Sequence, residues 1–131
     1  MTSNNNKQLP ATGDDGYQLP FSIDLGMSSV QGALGLAAEG IRVEWREYDL
    51  LENPRGALNE LVLAWSAIRS VEYRPGLFGA KVLVSCTSAS ALGNFPLPAG
   101  SLNLLACSVK RRYRGQAELF SAEAGLRLAE L

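Results

Sequence analysis

The sequence predicts a mostly-β domain: seven short strands bent into one barrel-like sheet, closed by a C-terminal α-helix. Three observations predict it. Apolar and polar residues alternate in short runs between Phe21 and Val109, the period of a half-buried strand. Gly, Pro and Asn clusters punctuate those runs as turns. Beyond the last run, Ala117, Phe120, Ala124, Leu128 and Leu131 recur at helical spacing, one stripe of a helix over 115–131.

The elements follow in order. Residues 1–20 read as a polar tail, with Asn4-Asn5-Asn6, Thr12 to Gly16 and two prolines, too poor in apolar groups to pack. The domain then spans 21–131. In 21–27, Phe21, Ile23, Leu25 and Met27 alternate with smaller or polar residues. Val30 to Ala37 is a second run in which Gly32 and Gly35 mark a bend or a close backbone approach. Ala38-Glu39-Gly40 reads as a hairpin loop with Gly40 free to take positive φ.

Ile41 to Asp49 is the clearest strand, with Ile41, Val43 and Trp45 on one face. Residues 50–59 hold Asn-Pro and Gly56 and are expected to be a loop. Glu60 to Trp65 alternates again, and Ser66-Ala67 interrupts it. Arg69 to Arg74 turns Val71 and Tyr73 inward, and Pro75 to Gly79 is turn chemistry. Ala80 to Thr87 turns Val82, Val84 and Cys86 inward. Residues 88–100 read as a long loop. Leu102 to Val109 is apolar on both faces in its middle, as expected of a strand between the barrel interior and the helix.

Composition bounds the rest. A chain of 131 residues suits one domain that buries roughly two-thirds of its unfolded surface. Hydrophobic residues at 47% and charged residues at 19% exclude a wholly disordered chain. The net charge of −1 supplies no global basic field, so no nucleic-acid partner is expected. The charge is uneven: residues 1–59 hold four Lys/Arg against eight Asp/Glu, and 60–131 hold eight against five. Cys86 and Cys107 sit in apolar runs without a CxxC and read as buried thiols of a reducing compartment, a disulfide between paired strands being the alternative. The polar Met1 to Lys7 has no apolar leader core, and no apolar run reaches the ~20 residues that span a bilayer, so the expected location is the cytoplasm.

At this point the layout resembles the bacterial pleckstrin-homology-like (PH-like) domains. The residues that carry the resemblance are Gly32 to Val43, the Leu63, Trp65, Ile68 stretch, Val71 to Val82, and a last strand running through Lys110 to Arg114 into a terminal helix. The resemblance covers about 21–131. It implies a PH-like seven-stranded bent barrel capped by the helix, a non-catalytic binding or scaffolding role through protein contacts, and, as in several bacterial members, a homo-oligomer. Members that grip phosphoinositides use a Lys-x-Arg pair around the first hairpin. Here Met27 to Val30 and Ala38 to Gly40 hold no Lys or Arg, and Glu39 opposes a phosphate.

Candidate chemistry is sparse. The chain has no histidine, which removes the commonest general base, the usual metal ligand and the His-dependent nucleophile systems. Neither GxxxxGK[ST] nor GxGxxG is present. Asp24, Glu44, Glu47 and Glu72 fall mostly on outward strand faces, and Asp14-Asp15-Gly16 lacks the spacing and distal Glu of a calcium loop. No catalytic residue, cofactor or metal is therefore expected. Lys110, Arg111, Arg112 and Arg114 are the candidate binding residues, for an anionic membrane lipid, a phosphoinositide or an acidic partner. The competing role for these side chains, stems laid over an apolar barrel edge, is favoured. Leu77-Phe78 is either an exposed tip for a membrane or partner groove or a turn folded onto the core, and the second is expected of Phe78. Trp45 and Trp65 read as core.

Overall fold

The computed structural model describes residues 18–131. Most of the expected tail, with Asp14-Asp15-Gly16, lies outside the described residues. The strands are β1 (Gln18–Asp24), β2 (Ser29–Leu36), β3 (Gly40–Tyr48), β4 (Pro54–Ala64), β5 (Ile68–Pro75), β6 (Gly79–Cys86) and β7 (Leu104–Lys110), followed by α1 (Arg114–Ala129). They form one antiparallel seven-stranded sheet in the order β4-β3-β2-β1-β7-β6-β5. The sheet is curled, open between its edge strands β4 and β5, and α1 caps it. This is the predicted architecture, a PH-like bent barrel with a C-terminal helix.

Alternation sets the inward face. Leu19, Phe21 and Ile23 from β1, Val30, Leu34 and Leu36 from β2, and Ile41, Val43 and Trp45 from β3 are all buried. Leu19 falls in phase with Phe21, so β1 starts at Gln18, three residues before the expected start of the domain. The close approach of neighbouring strands depends on missing side chains. A Cβ on Gly32 would lie 1.9 Å from the Glu44 carbonyl oxygen, and one on Gly40 would lie 1.9 Å from that of Leu63. Gly40 thus serves close approach of strands; its φ is not positive, contrary to expectation.

The sequence reading of 50–59 as a loop is corrected. β4 already runs from Pro54, opposite Tyr48, and only Asp49 to Asn53 form the connection. Proline is tolerated because it starts an edge strand, where its missing N–H removes no ladder bond. Gly56, at φ +78°, and a register slip between Trp45 and Glu47 absorb the irregularity as a bulge.

The long 88–100 segment contributes to the core. Its 3-10 turn Ala89–Leu92 reaches both β4 and β6, and it buries Leu92 and Phe95. The Phe95 ring lies tilted on Trp45 with centroids 4.6 Å apart. The segment therefore plugs the interior with an aromatic pair.

α1 buries Ala117, Phe120 and Ala124 and half-buries Leu128. Leu131 lies past the helix end and is exposed, so it does not belong to the stripe. The helix packs chiefly on β5 and β6. It does not cover the outer face of β7, where Leu104, Ala106 and Ser108 remain half-exposed, and β7 starts at Leu104 with Leu102 outside it. Arg127 ties the last turn down: its Nη1 donates to the Ala37 carbonyl at 3.1 Å and its Nε meets Glu123 at 3.3 Å. Trp65 Nε1 donates to the neighbouring Ala38 carbonyl at 3.1 Å, so both polar tips reach the same hairpin turn.

Candidate functional site

The outer face of the sheet is built by register. In an antiparallel ladder, directly opposite residues share a face. Ser22 of β1 lies opposite Gln31 of β2 and opposite Ser108 of β7, the one register pair joining β1 to β7 among the described residues. Ser108 lies opposite Lys81 of β6, and Lys81 opposite Arg74 of β5. Gln31, Ser22, Ser108, Lys81 and Arg74 therefore make a polar row across five adjacent strands. Lys81 Nζ and Ser108 Oγ are 3.3 Å apart, and Arg74 Nε meets Glu72 at 2.8 Å.

Lys110 sits two residues along β7 from Ser108, hence on the same face, opposite Gly79. Gly79 has no Cβ because one would lie 2.5 Å from the Val109 carbonyl oxygen. That pairing seats the β5–β6 turn beside the strand-to-helix junction. The turn is closed by Gly76 N–H donating to the Gly79 carbonyl at 2.7 Å, with Leu77 and Phe78 at its tip. Leu77 is 77% exposed and Phe78 85% exposed. The expectation that Phe78 folds onto the core is thus overturned. A two-residue tip between glycines leaves the ring no path back to an interior already filled by Val82, Val84 and Val109.

The basic run divides by position. Lys110 ends β7; Arg111 and Arg112 form a 3-10 turn with Tyr113; Arg114 opens α1. Lys110, Arg111 and Arg112 are exposed and Arg114 is half-buried. Among the described residues none of the four has a carboxylate within ion-pair distance. The Arg112 guanidinium lies 5.0 Å from the centroid of the Tyr113 ring.

Two hollows flank this junction and share Ser22, Ser108 and Lys110. One, of about 480 Å³, runs beneath the hairpin tip and is lined by Phe78, Gly79, Arg74, Lys81 and Lys110 among others. The other, of about 400 Å³, lies over the β1–β7 seam. It brings Lys110, Arg112 and Tyr113 together with Ser22, Gln31 and Glu52. Arg111 and Arg114 line neither.

Glu52 is held in place. It is the one non-glycine residue with positive φ among the described residues, at +65°, and its Oε1 accepts from Gln31 Nε2 at 3.0 Å. Asp49 shapes the turn: its Oδ1 accepts from the Leu51 and Asn53 backbone N–H groups at 2.9 Å each. Those bonds, the Asn53 one foremost, hold the Asp49 carboxyl below its ordinary value.

The remaining candidates are placed as follows. Cys86 and Cys107 are buried and free, and Cys107 lies opposite Val82, not Cys86. Burial pushes both thiols up; for Cys107 the Lys81 charge opposes this weakly. Glu44 and Glu47 are half-exposed, and Asp24 and Glu72 exposed, on outward positions. Among the described residues no group of three or more Cys, Asp and Glu side chains converges as a metal cluster. No helix among them is long and apolar enough to cross a membrane. Trp45 and Trp65 are core, as expected.

Sequence reading singled out Lys110 and Arg112 but missed Ser22, Gln31, Glu52, Lys81 and Ser108. These come from four strands and a turn, and only register assembles them. Strand parity offered a partial signal, since Lys81 must point outward once Val82 and Val84 point inward. Comparison with protein-family models, curated proteins and solved structures gave no match to the chain.

Proposed function

We propose that this chain is a non-catalytic binding module of PH-like type that docks onto an anionic membrane surface. The observation that supports this best is one juxtaposition. An exposed Leu77-Phe78 tip stands beside Lys110, Arg111 and Arg112, which have no ion-pair partner among the described residues. Apolar tips enter the acyl boundary, and a collar of cations meets the anionic headgroups around them. Each juxtamembrane cation contributes about 1 kcal/mol and a buried Phe about 1.5–3 kcal/mol, enough together for reversible attachment.

Co-sedimentation with vesicles tests this reading. The chain should pellet with phosphatidylcholine vesicles containing phosphatidylserine, less so as salt rises, and not with phosphatidylcholine alone. Phe78→Ala should weaken pelleting by about tenfold or more. The quadruple change of Lys110, Arg111, Arg112 and Arg114 to Ala should abolish it. Equal pelleting by the quadruple variant overturns the reading.

Contact with a protein, including a second copy, is the second reading. It is favoured by Leu119 and Leu126, exposed two turns apart on the outer side of α1. Light scattering at high concentration separates it: a strict monomer removes self-association.

A further inference from the structure

The seam hollow has two chemically different ends. Gln31 and Ser108 are separated by β1 alone, so two strand spacings, about 10 Å, set the distance across it. The β7 end carries Lys110 and Arg112, with Tyr113 beneath the guanidinium. The β2 end carries the Glu52 carboxylate, fixed by Gln31 and by its left-handed backbone. Between them the floor offers the Ser22 and Ser108 hydroxyls and the bare backbone of Gly32. A purely anionic ligand would meet Glu52 unfavourably, and a purely cationic one would meet Lys110 and Arg112.

We propose that this hollow binds a short phosphorylated amino alcohol, phosphate to Lys110 and Arg112 and ammonium to Glu52. The charges match: two cations face a phosphate dianion and one carboxylate faces one ammonium. The volume of about 400 Å³ admits such a molecule. Holding Glu52 at positive φ is the kind of backbone strain that binding sites retain. The inference rests on reading the junction as an anion-binding face, and it adds the far end of the ligand. A free metabolite supplies the phosphate as the monoester dianion, and the headgroup of a phospholipid supplies the same phosphate and ammonium as a diester with one negative charge.

Amide chemical-shift titration of the full chain with phosphoethanolamine, inorganic phosphate and ethanolamine tests it. Phosphoethanolamine should shift Ser22, Gln31 and Ser108 saturably and bind about tenfold tighter than inorganic phosphate, while ethanolamine alone should not saturate. Glu52→Gln should remove the tenfold preference, with inorganic phosphate bound no more weakly than by the parent. Lys110→Gln with Arg112→Gln should abolish both. Absence of saturable shifts at those residues, or an unchanged preference in Glu52→Gln, overturns the proposal. Competition names the source: phosphoethanolamine that displaces the chain from phosphatidylethanolamine vesicles identifies the headgroup, and binding without displacement identifies the free molecule. Failure of this titration with Phe78-dependent vesicle pelleting intact would leave the membrane reading standing, and saturation without pelleting would do the reverse.

Discussion

Two aromatic residues, Phe120 and Phe78, occupy opposite situations in this molecule. Phe120 of α1 is fully buried between Ala117 and Ala124, on a helix whose last turn is tied down through Arg127. Phe78 stands 85% exposed on a two-residue turn, next to cations with no ion-pair partner among the described residues. The capped side buries its apolar ring and pairs its cation, Arg127, with Glu123. The turn side leaves both kinds unsatisfied, side by side. Stability therefore comes from one region, and on the proposed reading binding comes from the other.

The sharpest way to break this contrast is a matched pair of truncations. Phe120→Ala opens a cavity in a filled interior and should cost about 3–5 kcal/mol, read as a lower denaturant midpoint. Phe78→Ala removes a ring that touches little and should stay within about 0.5 kcal/mol of the parent. Loss of stability from Phe78→Ala comparable with that from Phe120→Ala would mean the tip packs onto the domain, and the contrast would fail.

The same contrast explains what the sequence made legible. Parity along β1, β3 and β6 was readable because one face of each is buried, so the apolar positions declare themselves. The helix was readable from Ala117, Phe120 and Ala124 for the same reason. The outer face was not. Gln31, Ser22, Ser108 and Lys81 are unremarkable polar residues until pairing aligns them, and pairing between β1 and β7 joins positions more than eighty residues apart in the chain. Pro54 and Gly56 concealed the start of β4 because an edge strand with a bulge tolerates residues that central strands exclude. Phe78 misled because an apolar residue in an apolar-rich chain is ordinarily core.

A smaller effect tests how closed the interior is. Cys86 and Cys107 keep their protons in the folded chain because burial disfavours the thiolate. Their folded values are raised above the ordinary 9.0, so the folded chain retains protons that the unfolded chain releases. The associated stability is complete below about pH 9 and declines as pH rises through and beyond it, towards the folded values. Urea midpoints measured from neutral to alkaline pH should fall accordingly, and Cys107→Ala should flatten the fall. Rapid reaction of both thiols with a disulfide reagent at neutral pH, without denaturant, would show an interior open to solvent.

The smallest effect belongs to the open face. The Asp49 carboxyl accepts two backbone N–H groups in the turn that carries Glu52 and sits on the surface, so its ionised form is favoured only in the folded turn. A folded value below 3.8 means that its contribution is present above that value and is lost as pH falls through the lowered one. Asp49→Ala should therefore lower the neutral-pH unfolding midpoint, by a small amount because the group lies at the surface, and lower it less as pH falls. It should also free the Glu52 backbone from positive φ and loosen the Gln31 contact, seen as amide shifts at Gln31 and Glu52 without shifts at Phe120. Propagation of those shifts into α1 would mean the two regions are mechanically one. Their confinement to the seam hollow would mean that its carboxylate end can be altered while the capped core stays intact, as a binding face on an independently stable scaffold requires.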